Sequence, residues 1–337
     1  MPANKYRIAL DAMGGDYAPL NELKGAYEVL NDPQHSDISL YLFGNKELIE
    51  SKIKELGFDG SKVEIIPSVD DVTMKDDPTD VLKKKKTSSL YLGADFHRNG
   101  NCDAFVSAGN TGAMMTVSTM LLGRINGVSR PTIGSFFPTV KPNPTFVLDV
   151  GATVDLRPRY LYEYAVMGSI YVEKMQNIAN PKIGLLNVGE EESKGTEAIR
   201  ESYKMMKEGK FNFIGNVEGR DIFAGTADVV VCDGFVGNIV LKFAESFISI
   251  LKSKIKDYSE SGLVNKIKTA VMVPVLKDVL AQFDYQNYGG VPLLGVNGVS
   301  IIGHGKSTPL AVKNMIVRAK EMIAAEINKK IENELNN

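Results

Sequence analysis

The sequence predicts an α/β protein: a mostly parallel sheet in an α/β/α sandwich, with a helical tip projecting from it. Short apolar runs alternate along the chain with helix-length amphipathic stretches. The strand candidates are nearly continuously apolar, as strands covered by helices on both faces must be. A chain of 337 residues, 44% hydrophobic and 24% charged, can bury a large core in one continuous unit.

The strand candidates in chain order are Arg7–Leu10, Ile38–Phe43, Val63–Ile66, Ala104–Ser107, Thr132–Phe137, Phe146–Val150, Lys182–Asn187, Phe211–Asn216, Val229–Cys232 and Val299–Gly303. Helical patterns fall between them at Asn45–Leu56, Ser88–His97, Met114–Leu122, Arg159–Gln176 and Thr196–Lys207. Only the short run VKPNP links Thr132–Phe137 to Phe146–Val150. That pair is expected antiparallel, because a parallel crossover takes roughly a dozen residues. Thr308–Glu334 reads as a closing helix, capped by Ser307 or Thr308, with Pro309 in its first turn. No repeat or flexible linker divides the chain. A single α/β catalytic unit over residues 1–337, with two lobes and a cleft between them, is expected.

The formal net charge of −2 provides no global basic field for nucleic acid. The two cysteines, Cys102 and Cys232, stand in apolar runs and read as buried thiols rather than a disulfide framework. The N-terminal stretch MPANKYRIALDAMGGD lacks the apolar centre of a signal peptide. No run approaches the ~18 uninterrupted apolar residues of a spanning helix. These readings place the chain in the cytosol or on a membrane surface. There is no G-x-S-x-G, no H-E-x-x-H and no Cys/His metal spacing. A reaction whose nucleophile is itself a substrate, with no metal and no cofactor, suits the sequence.

Five glycine-rich loops stand at or near strand ends, where ligands of open parallel sheets bind. The first, Asp11–Asp16, holds Asp11, Gly14 and Gly15. The second, Ser107–Ala113, offers Ser107, Gly109, Asn110, Thr111 and Gly112 before a helix whose free N–H groups would face an anion. The third, Asn187–Gly195, carries one cation, Lys194, beside Glu190, Glu191 and Glu192. The fourth, Asp233–Val240, holds Asp233, Gly234 and Asn238. The fifth is Tyr288–Gly298, and His304 follows the last strand. Together they point to an anion-binding cleft. The residues alone leave open that Lys194 is a solvated lysine and that Asp11 and Asp16 do only turn chemistry.

Downstream, Leu241, Ala244, Ile248, Leu251 and Ile255 step by three and four along a helix seam. Leu263, Ile267 and Val271 then line one side, flanked by Lys266 and Lys268. The run Ala270–Leu276 is apolar all round, and Pro274 is expected to split it into two short segments or bend it. Residues 241–285 are therefore expected to form a helical dimer or membrane tip. Leu263, Val264, Ile267, Val271 and Val275 are the candidate membrane contacts. The run Lys83–Lys86, or the lysines of Lys252–Lys268, is a candidate dock for an acidic protein.

Taken together, ALDAMGGDYAP, KKKKTSSL, SAGNTGA, VLDVGATVD, LLNVGEEESKG, NVEGRDI, DVVVCDGFVGNIVLK and YGGVPLLGVNGVSIIGHG resemble the PlsX family of phosphate acyltransferases. The likeness runs from about Arg7 to the closing helix. It departs at Thr153, where the family pattern usually reads asparagine. The resemblance implies a fold similar to the isocitrate and isopropylmalate dehydrogenases, and a homodimer. It implies reversible acyl transfer from acyl carrier protein to inorganic phosphate, feeding a membrane glycerol-3-phosphate acyltransferase. It also implies a cytoplasmic protein peripheral to the inner face of the cell membrane. On that footing Asn110 and Thr111 are expected to cradle phosphate. Lys194 and Asn238 are expected to stabilise charge at the reacting carbonyl, and His304 is an acid/base candidate. Three rivals stay open: a coenzyme A-dependent phosphotransacetylase, a nicotinamide-dependent dehydrogenase and a non-catalytic membrane-surface scaffold.

Overall fold

The computed structural model describes residues 5–281 and 288–336. The first half contains β1 (Tyr6–Asp11), α1 (Leu20–Leu30), β2 (Ile38–Gly44), α2 (Lys46–Leu56), β3 (Val63–Pro67), α3 (Pro78–Lys84), α4 (Ser89–Arg98), β4 (Ala104–Ser107) and α5 (Thr111–Leu122). Next come β5 (Thr132–Phe137), β6 (Thr145–Leu148), α6 (Pro158–Met175), β7 (Ile183–Leu186), α7 (Glu197–Lys207), β8 (Phe213–Val217), α8 (Gly219–Ala224) and β9 (Val229–Val231). The chain then forms α9 (Gly234–Glu260) and α10 (Leu263–Ala281), and returns through β10 (Val291–Leu294), β11 (Val299–Ile302), α11 (Pro309–Ala324) and α12 (Ile327–Asn336).

Among the described residues, eleven strands form one sheet in the order β3-β2-β1-β4-β11-β10-β5-β6-β9-β7-β8. Its wings are parallel. The pairings β11–β10, β10–β5 and β5–β6 are antiparallel, the last as the VKPNP link predicts. These reversals make β6, β9, β7 and β8 run opposite to β3, β2, β1, β4 and β11. The carboxyl ends of the two wings therefore lie at opposite edges of the sheet, and this decides which loops can act together.

The apolar strands bury both faces. Ile8 and Leu10 of β1 join one core cluster with Leu23, Tyr164 and Met315 from α1, α6 and α11. Ala9, between them in sequence, joins the other with Leu90 and Met114 from α4 and α5. Alternate residues of one strand thus feed two helix layers.

Three expectations need correction. The fifth glycine loop contains a strand, β10, in which Pro292 pairs with Ile301. Glycine and proline flanks hid it, since proline argues against an interior strand. The closing helix is two helices: Ala325 caps α11, and Glu326 takes a left-handed φ of 51° before α12 begins. Thr308 does cap α11, accepting from the Ala311 amide. Pro274 does not divide its helix; α10 runs through it. Ala270 is exposed, so water can take the carbonyl that Pro274 leaves without a donor. The break comes earlier, at Ser261–Gly262, between α9 and α10. Part of the expected tip, residues 282–285, lies outside the described residues.

Candidate active site

The sheet edge at the carboxyl ends of β1 and β4 gathers Asp11, Gly14, Gly15, Ser107, Gly109, Asn110, Thr111 and Gly112, with His304 after β11. The two loops interlock. A β-carbon on Gly14 would stand 2.8 Å from the Gly109 amide nitrogen. Their polar side chains are largely spent on holding the loops. Ser107 donates to Asp11 Oδ2 at 2.7 Å and accepts from the Gly109 amide at 3.1 Å. Asn110 caps α5 by accepting from the Ala113 amide, and its Nδ2 donates to the carbonyls of Thr73 and Asp76, both at 3.1 Å. The exposed groups are Thr111 and His304, whose Nδ1 accepts from the Lys306 amide. Burial raises the Asp11 carboxyl above its ordinary value, against the bonds from Ser89 and Ser107. Beside it, Glu22 is buried, and neither carboxylate oxygen makes a hydrogen bond of ordinary geometry among the described residues. Burial foremost, then the nearby Asp11 and Asp16, push it up to about 7.

The opposite edge gathers Asp233, Gly234, Asn238 and Lys194. Single-chain geometry therefore splits the predicted set into two groups, and His304 is not beside Lys194. This second edge has a rigid floor. Asp149, at the end of β6, is fully buried. Its Oδ1 accepts from the amides of Gly151 and Ala152 at 2.8 and 2.7 Å, folding the loop back over the strand. Its Oδ2 makes no hydrogen bond of ordinary geometry. Burial pushes this carboxyl up to about 6 despite those amides. The loop then receives α9. The Gly234 amide donates to the Thr153 carbonyl at 2.8 Å, and a β-carbon at 234 would stand 2.6 Å from that oxygen. Asp233 caps α9 by accepting from the Val236 amide at 3.0 Å.

On this floor Asn238 is exposed one turn into α9, facing Gly151. Among the described residues its amide makes no hydrogen bond to the chain. Lys194 is also exposed, and its one ion-pair neighbour among the described residues, Glu191, is 3.9 Å away. Such a pair is worth little, so the ammonium is available to an anion. β9 and β7 are neighbours in the sheet, so the loops carrying Asn238 and Lys194 are adjacent. The Lys194 loop is braced from behind: Asn187 Nδ2 donates to the Lys194 carbonyl and Arg200 to that of Gly195.

Asp149, Arg130, Tyr164 and Glu163 were not singled out as site residues from the sequence. VLDVGATVD contains Asp149, but a buried aspartate that orders a loop reads like any turn residue. Glu163 is a charged residue in a helix whose burial becomes visible only through its partners: the Ser129 amide and hydroxyl and Arg159 Nε, each at 2.7 Å. Thr153 turns inward, 4% exposed, with its hydroxyl 2.9 Å from the Tyr164 hydroxyl. At the departure from the family pattern, the side chain therefore braces the loop from inside the fold.

The two surface readings also gain detail. In Lys83–Lys86, Lys85 is tied to Asp76 at 2.8 Å and Lys84 to Asp80 at 2.9 Å, leaving two of the four without an ion pair among the described residues. On α10, Leu263, Val264, Ile267, Val271 and Val275 are all exposed, from 59% to 76%. On α9, Phe235, Ile239, Phe243, Phe247 and Ile250 form a second exposed stripe. By length and composition alone α9 could cross a bilayer. The two cysteines are buried, and burial lifts Cys102 to about 12 and Cys232 well above its ordinary value.

A family model described as fatty acid synthesis protein matches residues 6–330. The chain is 44% identical over 331 residues to the phosphate acyltransferase of Dictyoglomus turgidum, covering 98% of each chain. It is 46% identical over 316 residues to that of Heliobacterium modesticaldum, covering 94% of this chain and 93% of the other. Among solved structures, a phosphotransacetylase from Streptococcus pyogenes superposes with a TM-score of 0.64 at 16% identity, over 96% of this chain and 94% of that one. A protein described as a 4-hydroxythreonine-4-phosphate dehydrogenase from Salmonella typhimurium gives 0.53 at 11% identity, over 94% and 99%. At those identities the likeness shows a shared fold.

Proposed function

The chain belongs to the fatty acid synthesis protein family and is an acyltransferase, and from that premise we propose that it transfers a long-chain acyl group from acyl carrier protein to inorganic phosphate at the Lys194–Asn238 edge. The observation that carries this reading is the pair of uncommitted groups on adjacent loops, an ammonium and an amide, above a backbone floor fixed by Asp149.

A phosphate oxygen attacks the thioester carbonyl carbon. The tetrahedral intermediate carries its charge on the former carbonyl oxygen, and collapse breaks the C–S bond to release the carrier thiolate and acyl phosphate. Lys194 offsets the phosphate charge as it nears the carbonyl. The Asn238 Nδ2 donates to the oxyanion as it forms. The fixed backbone beneath Asn238 and the braced Lys194 loop lower the cost of bringing these donors to the reacting groups. No covalent enzyme intermediate is needed.

The acyl product is insoluble, which fits the exposed apolar residues of α10 to a membrane surface. We place the protein in the cytoplasm, peripheral to the inner face of the cell membrane. It would hand acyl phosphate to a membrane glycerol-3-phosphate acyltransferase on the way to phosphatidic acid. The exposed stripe on α9 fits a second copy of the chain, as a homodimer. Lys266 and Lys268 on α10, together with Lys83 and Lys86, make no ion pair among the described residues and suit an acidic carrier.

The test is to incubate purified protein with long-chain acyl carrier protein, with and without phosphate, and to trap acyl phosphate. Phosphate-dependent release of free carrier is expected. Release that ignores phosphate, or that occurs only from acyl coenzyme A, would refute the reading.

A further inference from the structure

We propose that Arg130 is the anchor for inorganic phosphate, and that Thr153 is the positioning residue that aims it. This rests on the acyl-transfer reading for its purpose but not for its test.

Arg130 sits just before β5, and β5 pairs antiparallel with β6, so Arg130 stands at the same edge as the Asp149–Thr153 loop. Its neighbours in sequence and space are committed. Arg124 donates to the Ser129 carbonyl, and Arg159 pairs with buried Glu163 at 2.7 Å. Arg130 is exposed and pairs with no carboxylate among the described residues; its one hydrogen bond runs from Nε to Thr153 Oγ1 at 3.4 Å. The rest of the guanidinium fork makes no hydrogen bond or ion pair among the described residues. A planar fork of this kind matches two phosphate oxygens at once, which an ammonium cannot do.

Both ends of the guanidinium's support are fixed. Glu163 accepts from both the amide and the hydroxyl of Ser129, which pins the backbone one residue before Arg130. Thr153 is buried, hydrogen-bonded through its hydroxyl to Tyr164 and through its carbonyl to the Gly234 amide. Thr153 therefore links the Arg130 fork to the first residue of α9, the helix that presents Asn238. The Arg130 fork, tied to Thr153, and Asn238, which faces Gly151, thus flank the same loop. Phosphate bound there would lie between a bidentate arginine and the Asn238 and Lys194 donors.

The test is binding of inorganic phosphate alone, by phosphorus NMR titration, so that no turnover is required. Wild-type protein is expected to bind saturably. Arg130→Gln is expected to bind roughly 10- to 100-fold more weakly, as loss of charged hydrogen bonds implies. Arg130→Lys should fall between them. Thr153→Val should weaken binding roughly threefold to tenfold, and Thr153→Ser should restore it. In turnover, Arg130→Gln should raise KM for phosphate and leave KM for the acyl donor unchanged, which a merely structural role would not do. Arg130 is exposed, so a thermal melt is expected to show both Arg130 variants folded. Saturable binding by wild type that Arg130→Gln retains, or no saturable binding by wild type, would overturn the inference. Arg130-dependent binding without acyl phosphate formation would leave this inference standing and remove the acyl-transfer reading.

Discussion

Gly237 lies so close to the carbonyl oxygen of Asp149 that any β-carbon at 237 would overlap it. This contact seats the first turn of α9 on the loop after β6, and the next residue is Asn238. Gly237→Ala must therefore push the helix off its floor. Overpacking of this kind typically costs about 1–3 kcal/mol, and a shift of the order of 1 Å near reacting atoms can cost roughly 100-fold in rate. Gly237→Ala is expected to lower kcat far more than it lowers Tm. Gly262→Ala, where an added β-carbon meets nothing within 4 Å, is the control and should be silent. Steady-state kinetics beside a thermal melt would show the contrast. Equal activity in the two variants would remove the contact from the mechanism.

The exposed face of α10 predicts a surface phenotype. Leu263 is 76% and Val271 73% exposed, so Leu263→Glu or Val271→Glu should leave the fold and the melt intact. Each places a charge where an interfacial helix needs apolar area. Both variants are expected to lose flotation with phospholipid vesicles while retaining turnover of soluble donor. Undiminished flotation would show that α10 is not the attachment face.

Glu22 predicts a pH dependence of stability. Its carboxyl is raised from 4.5 to about 7 in the folded chain, so between those values the folded state holds a proton that the unfolded state has lost. The stabilisation is fully present below pH ~4.5 and disappears as pH rises through about 7. A shift of this size corresponds to something on the order of 3 kcal/mol. Glu22→Gln cannot ionise. Denaturant melts of wild type should weaken from pH 5 to pH 8, and those of Glu22→Gln should weaken less. Parallel pH profiles would show that the folded chain does not raise the Glu22 carboxyl.

Much of the architecture was legible because it rests on local pattern. Apolar runs located every strand except β10, and VKPNP foretold the antiparallel pair β5–β6. The same logic failed at Val291–Leu294, where Pro292 and glycines masked a strand that its neighbours impose. It failed more instructively over the site. Four of the five glycine loops follow a strand, so they read as one cleft. Strand direction is a property of the whole sheet, and the reversals through β10, β5 and β6 send the Ser107 and Asn238 loops to opposite edges. Asn110 looked like a ligand residue because its three real partners, at Thr73, Asp76 and Ala113, include two that are distant in sequence. Arg130 passed unnoticed for the converse reason: what marks it is the absence of a carboxylate partner among the described residues.

That division of the loops makes the choice of edge the central claim, and a pair of single substitutions tests it. In acyl phosphate formation from acyl carrier protein and phosphate, measured under single-turnover conditions, Asn238→Ala is expected to lower the rate roughly 100- to 1000-fold, the usual loss for one oxyanion donor. Thr111→Ala, exposed at the other edge, should stay within about threefold of wild type, as a surface substitution away from the reacting groups would. A collapse in Thr111→Ala with Asn238→Ala unimpaired would place the chemistry at the Ser107–Thr111 edge and contradict the account.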